Sequence, residues 1–204
     1  MNASSAAVRL LVLASTSRFR RTLLDAAGIA HTAMAPSFDE THAEPLAPPK
    51  LAIAYARAKA ESLGARHPDA LIIGADQLPE VDGEILTKPG TIARAVEQLE
   101  RLQGRTHRLH TAVAVHDPRG VGFARTRDRL VTHTMTMRPL SRAQIEAYVA
   151  RDAPFDCAGA YKIEAAGTLL FSSMEGSDHT AIVGLPLSAL TALLCDFGYD
   201  PLGA

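Results

Sequence analysis

The chain has 204 residues, of which 47% are apolar and 21% charged, with 14 Gly and 12 Pro. That composition fits one globular domain or two small ones and excludes a disordered, collagen-like or disulfide-stapled chain. Lys and Arg number 21 against 22 Asp and Glu, a formal charge of −1, so there is no global basic field of the kind a non-specific nucleic-acid binder needs, and any anion binding must come from local clusters.

A chain this long buries roughly 70% of the surface its unfolded form exposes, so it needs neither a structural metal nor a disulfide to fold. Its two cysteines, Cys157 and Cys195, have no paired spacing and read as reduced thiols. The segment from Met1 to Val8 has no basic region followed by a long apolar run, and no stretch approaches the roughly 18 apolar residues of a membrane span. The expectation is a cytoplasmic protein with no membrane or nucleic-acid partner.

Leu10 to Ala14 is a short apolar strand, and Ser15-Thr16-Ser17 then offers N-caps for a helix from about Arg18 to Ala27, closed by Gly28. His31 to Ala35 suits a second strand, and Pro36 to Pro49 a polar loop. Helix resumes from about Pro49 to Arg66 on the spacing of Leu51, Tyr55, Ala58 and Ser62. Ala70 to Ala75 is again a buried-strand run, ending in Asp76-Gln77, with a hairpin signal at Asp82-Gly83. Thr91 to Gln103 predicts a helix, Thr106 to His116 a long strand, and Val121 to Met137 its partner. Ser141 and Gln144 form a capping box for a helix to Ala150. Strand is expected around Tyr161 to Ser172, and a last helix from about Pro186 to Phe197. Interleaved strands and helices with a mixed sheet in the second half make the fold class α/β, without repeats or clear linkers.

Ser15, Thr16, Ser17, Arg18, Arg20 and Arg21 gather where a buried strand hands over to a helix. Free N–H groups, the helix dipole, hydroxyls and guanidinium forks all favour phosphate there, although neither a Walker loop nor G-x-G-x-x-G is present. The alternative is a capped helix with solvated arginines. Asp76, after an apolar strand, can hold a divalent metal or take a proton from water, or simply cap the strand. Asp39-Glu40 is a second acidic pair in a loop, a ligand set or a solvated turn. Only Lys50, Lys59, Lys88 and Lys162 are lysines, so Arg is the default cation and a retained Lys is informative. Lys88, before Pro89, could reach a phosphate, and Lys59 lies on the helix expected beside the Asp76 strand. His107 and His110, three apart on a strand, face opposite sides and make poor co-ligands. A hydrolase built on Cys157 lacks an obvious partner histidine.

Taken together, LASTSRFRRTLL (13–24), FDET (38–41), AKA (58–60), IIGADQ (72–77), Lys88-Pro89, CAGAYKIE (157–164) and VGLPL (183–187) resemble the Maf family of nucleoside triphosphate pyrophosphatases, from Leu10 to Leu202. The resemblance implies a two-lobed α/β fold with a central nucleotide cleft, like the inosine triphosphate pyrophosphatases. It implies Asp76 as the catalytic carboxylate, with Ser15, Arg20, Arg21, Lys59 and Lys88 on the phosphates. It also implies a divalent metal such as Mg²⁺ or Mn²⁺ on Asp76 and Glu40, and a homodimer. The family usually has proline where this chain has Arg18, a favourable but replaceable first-turn residue. Phe19, Gln77 and Glu164 stand at positions tied to base choice and resemble the branch acting on 7-methylguanosine triphosphate. An aromatic face attracts that cationic base, and a carboxylate accepts from its N–H groups. The alternatives carried forward are a pyrimidine nucleotide (dTTP or UTP) pyrophosphatase and a nucleotide-binding regulator of septum formation.

Overall fold

The computed structural model describes residues 9–38, 46–120 and 125–203. Its centre is a mixed seven-stranded sheet in the order β2-β1-β3-β5-β6-β7, with β4 on β3. β1 (Leu11–Ala14) lies parallel to β2 (Thr32–Met34) and to β3 (Leu71–Val81). β4 (Glu84–Ile85), β5 (Thr106–His116), β6 (Thr126–Met137) and β7 (Phe171–Glu175) pair antiparallel.

The apolar runs that open β1 and β3 are continuous because both faces are covered. On one face Val12, Ala14, Ile72, Ala112 and Ala114 pack under α2 (Pro48–Glu61) through Ala52, Ala56 and Ala60. On the other, Leu11, Leu13, Leu71, Ile73 and Val113 meet Leu24 of α1 (Arg18–Ala26) and Leu190, Leu193 and Leu194 of α6 (Leu187–Asp196). The far ends of β3, β5 and β6 carry a third cluster, in which Val81, Leu109, Met135 and Met137 pack on α3 (Ile92–Leu102) and α4 (Arg142–Asp152).

Local signals account for most boundaries. Ser17 caps α1 and Thr91 caps α3, each accepting from the backbone three residues on, and Ser141 with Gln144 forms the expected reciprocal box on α4. Gly28, at φ 70°, follows α1, and Asp82 (φ 54°) with Gly83 (φ 81°) makes the hairpin turn between β3 and β4. His107 and His110 do face opposite sides: His107 Nε2 meets the Tyr161 hydroxyl at 3.0 Å, while His110 Nε2 meets Glu80 at 3.1 Å. Burial lowers the His107 pKa to about 4, so the ring is neutral.

Four expectations need correction. The strand expected over Ala70 to Ala75 continues to Val81, because β5 pairs with it as far as Glu80; Asp76 is therefore mid-strand. The second helix stops at Glu61 rather than Arg66, where the Ser62 hydroxyl donates to Lys59 O at 2.8 Å and the chain turns. Extended chain expected from Tyr161 instead coils, with Gly167 N donating to Lys162 O at 2.8 Å and a 3-10 turn over Ala166–Leu170, before β7 begins. A short helix, α5 (His179–Val183), was not expected at all. Of the strand expected from Val121, residues 121–124 lie outside the described residues.

Asp178 ties α5 to α6. Its buried carboxylate accepts from Thr180 N (2.9 Å), Thr180 Oγ1 (2.5 Å), Ser188 N (3.0 Å) and the Ser188 hydroxyl. Burial alone would raise its pKa, but the Ser188 and Thr180 hydrogen bonds outweigh it and hold the carboxyl below the ordinary 3.8. A depressed folded-state pKa stabilises above the unfolded value and is lost as pH falls through the folded one.

Two predictions follow from this packing. In Gly74→Ala the new Cβ would sit 2.1 Å from Ala56 O and 2.7 Å from Ala60 N, both backbone atoms of α2, so the helix must lift; we expect a loss of about 3 kcal/mol or more in urea unfolding. In Asp178→Asn an amide NH₂ meets donors already pointing inward, costing about 2 kcal/mol at pH 7. The deficit should shrink below pH 3.8, where the native carboxylate is itself titrated; a pH-independent deficit would refute the ionised hub.

Candidate functional site

The site exists because β1 is short. Its last paired residue on β3 is Ile73, and β4 joins that same strand only at Glu80. Leu86 N extends that contact to Pro79 O at 2.9 Å, so among the described residues nothing pairs with β3 on this edge from 74 to 78, a gap of roughly 17 Å at strand rise. A cavity of about 1050 Å³ fills it. One wall is the loop after β1 with the first turn of α1 and the Tyr55–Lys59 side of α2; the other is Ile85 to Lys88 and the 156–164 segment, with Ile182 to Gly184 at the back.

Period-2 alternation along β3 sorts the floor. Gly74 and Asp76 face α2. Because Gly74 has no side chain, α2 lies close enough for Lys59 Nζ to reach Asp76 Oδ1 at 2.5 Å, with both residues buried. The second carboxylate oxygen, Asp76 Oδ2, is buried and has no hydrogen-bond partner among the described residues. The Lys59 ammonium also lies 5.9 Å from the centre of the Tyr55 ring.

Gln77 faces the opposite way, and its Nε2 donates to Thr111 Oγ1 (3.1 Å), Ala181 O (2.8 Å) and Ile182 O (3.0 Å). Consecutive residues thus serve the two sides of the sheet, and both line the cavity because the strand edge between them is uncovered.

Ser15 is buried and accepts from Ser17 N (3.1 Å) and Arg20 Nη1 (3.2 Å), which leaves its own O–H to donate. Arg20 Nε donates to Gly184 O at 2.8 Å, anchoring the guanidinium to the back of the cavity. Arg21 was grouped with Arg20, but the structure separates them: successive helical residues point roughly 100° apart, and Arg21 is exposed and off the cavity wall. Lys88 is exposed on the opposite rim. Glu40 falls outside the described residues.

Phe19 and Glu164 complete the wall, and the Arg18 guanidinium lies 4.6 Å from the Phe19 ring centre. Partial desolvation raises the Glu164 pKa, more than a backbone hydrogen bond, Lys162 and Arg18 lower it. Cys157 also lines the cavity, but burial pushes its thiol up to about 12, so it is no thiolate nucleophile at neutral pH.

The donor set suits one mode of metal binding. Among the described residues no three His, Cys, Asp or Glu groups converge, so a closed protein cage is absent. A hard cation that keeps waters and takes phosphate oxygens needs only one or two carboxylates, and the unpartnered Asp76 Oδ2 offers one.

The sequence reading missed Thr111, α5 with its carbonyls, and the Tyr55 wall as parts of the site. The bracketing of His179–Val183 by the cap Asp178 and by Gly184 at φ 119° was a usable signal for α5. Nothing local marks Thr111, which is an ordinary strand residue until Gln77 is set opposite it.

The 7-methyl-GTP pyrophosphatase of Bordetella pertussis is 45% identical over 192 residues, covering 94% of each chain. Those of Aromatoleum aromaticum and Syntrophotalea carbinolica are 45% and 37% identical, covering 90% and 96% of this chain and 93% and 98% of their own. A solved HAM1 protein from Coxiella burnetii matches 64% of this chain and 73% of its own at 16% identity and a TM-score of 0.41. No described helix is long and apolar enough to cross a membrane. The family model described as Maf-like protein matches residues 10–197, and the chain belongs to the Maf family.

Proposed function

We propose that the chain hydrolyses 7-methyl-GTP to 7-methyl-GMP and pyrophosphate, the activity for which its relatives are named. The observation that carries this reading is the buried Lys59–Asp76 pair, with one carboxylate oxygen left without a protein partner, in a cavity lined by both cationic and acceptor side chains.

Arg20, Lys59 and Lys88 neutralise the triphosphate, and the Ser15 hydroxyl donates to a phosphate oxygen. Arg21, away from the wall, adds only a longer-range positive potential. Asp76 Oδ2, with Glu40, would hold Mg²⁺ or Mn²⁺, which when bound neutralises phosphate charge and lowers the pKa of a bound water. Lys59 holds Asp76 through Oδ1, which fixes the carboxylate and leaves Oδ2 as its unpartnered oxygen. Water attacks the α-phosphorus, a P–O bond to water forms, and the bond to the bridging oxygen of the pyrophosphate leaving group breaks.

Base choice rests on charge and donor pattern. The face of Phe19 favours a cationic ring, and the Glu164 carboxylate accepts from the N1–H and exocyclic amine of guanine. Uracil and thymine offer one N–H between two carbonyls, so an acceptor-rich end disfavours them.

Two measurements test the reading. Pyrophosphate release should be fastest with 7-methyl-GTP in a panel with GTP, dTTP, UTP and CTP under Mg²⁺ or Mn²⁺. Asp76→Asn should lower it about 10²-fold or more with the circular dichroism spectrum retained; near-normal turnover would remove Asp76 from the chemistry. Because the Glu164 pKa is raised, its carboxylate is lost on acidification earlier than an ordinary glutamate's. KM for 7-methyl-GTP should therefore climb as pH falls toward 5, and Glu164→Gln should show a higher KM that no longer varies over that range.

A further inference from the structure

We infer that Thr111 is a positioning residue for base recognition, acting with the Ala181 and Ile182 carbonyls to fix which end of the Gln77 amide faces the nucleotide. The inference rests on the nucleotide reading above and goes beyond it to a residue that never touches the ligand.

Thr111 stands directly opposite Gln77 in the β3–β5 ladder and is fully buried. Its hydroxyl donates to Ala181 O at 2.9 Å. A backbone carbonyl can only accept, so the single proton of Thr111 is committed there, and toward Gln77 its oxygen can only accept. Gln77 therefore meets three acceptors at once, Thr111 Oγ1, Ala181 O and Ile182 O, all within 3.1 Å of one amide atom. Only the NH₂ end can donate to them, its two protons shared among the three; the flipped amide would set an oxygen against two carbonyls.

The consequence lies at the other end of the amide. Among the described residues Gln77 Oε1 accepts no protein hydrogen bond, and it is not sealed from solvent. It lies near the backbone of Gly184, 3.9 Å from where a Cβ would be, and both residues line the cavity. Gln77 thus presents an acceptor and withholds its donors. With Glu164 lining the same cavity, the two polar side chains at base-choice positions are both acceptors. Guanine, with N1–H and an exocyclic amine on one edge, supplies donors to both, whereas uracil and thymine do not. A free glutamine amide would serve either pattern by rotating, and Thr111 Oγ1 together with the Ala181 and Ile182 carbonyls removes that freedom.

The test is a double-mutant cycle read by substrate choice. Thr111→Val keeps the volume and removes the hydroxyl. It should lower kcat/KM for 7-methyl-GTP about fivefold, the worth of one hydrogen bond, mainly through KM, while a pyrimidine triphosphate such as UTP changes less than twofold. Thr111→Ser should restore the wild-type ratio. In a Gln77→Ala background Thr111→Val should have no further effect. Equal losses on both nucleotides, failure of Thr111→Ser to rescue, or additive effects in the cycle would each overturn the inference. Should valine not yield folded protein, Thr111→Ala takes its place in the same cycle. If the wild-type enzyme prefers another nucleotide, the 7-methylguanine reading fails, and the cycle on that preferred nucleotide still decides whether Thr111 acts through Gln77.

Discussion

The buried ion pair between Lys59 and Asp76 organises the molecule around its cavity. Two charges out of water are stable only with close geometry, and that geometry depends on how near α2 can approach β3. Gly74 sets the approach, since any Cβ there would collide with the helix backbone. Ala52, Ala56 and Ala60 continue the close contact along α2. A small-residue interface between helix and strand is thus what brings a lysine ammonium to a carboxylate at the floor of the site, and leaves the second carboxylate oxygen without a protein partner.

The other half of the cavity depends on a different contact on the other face of the same strand. Gln77 is held by carbonyls at the end of α5, and Arg20 is held by Gly184 O just beyond it. Asp178 ties α5 to α6 through Thr180 and Ser188. Arg20, suited to phosphate, and Gln77, at a base-choice position, are therefore braced against one short segment, which sets their spacing across the cavity.

The strand edge joins these halves. Ending β1 after four residues leaves five residues of β3 uncovered among the described residues, and β4 with Leu86 closes the gap at its far end. Alternating side chains of β3 then reach a common space from both faces, which a strand paired on both edges would not allow. Arg21 shows the opposite outcome: its sequence neighbour Arg20 enters the cavity, and helical geometry turns Arg21 away.

Local patterns in the sequence determined most elements and the chemical character of the site. Caps at Ser17, Thr91 and Ser141 and the Asp82-Gly83 turn act within a few residues, so they are legible without any fold. The family motifs marked Ser15, Phe19, Arg20, Arg21, Glu40, Lys59, Asp76, Gln77, Lys88 and Glu164; of these Arg21 lies off the cavity, Glu40 lies outside the described residues, and the other eight line one cavity. What only the tertiary structure decided were the contacts between distant segments. The length of β3 was set by its pairing with β5, the coil over Tyr161 to Leu170 by a turn closed on Lys162, and the orientation of the Gln77 amide by Thr111 and α5. Each depends on a partner tens of residues away or on a backbone turn with no side-chain signal. Periodicity reports which face of an element is apolar, but not what lies against it.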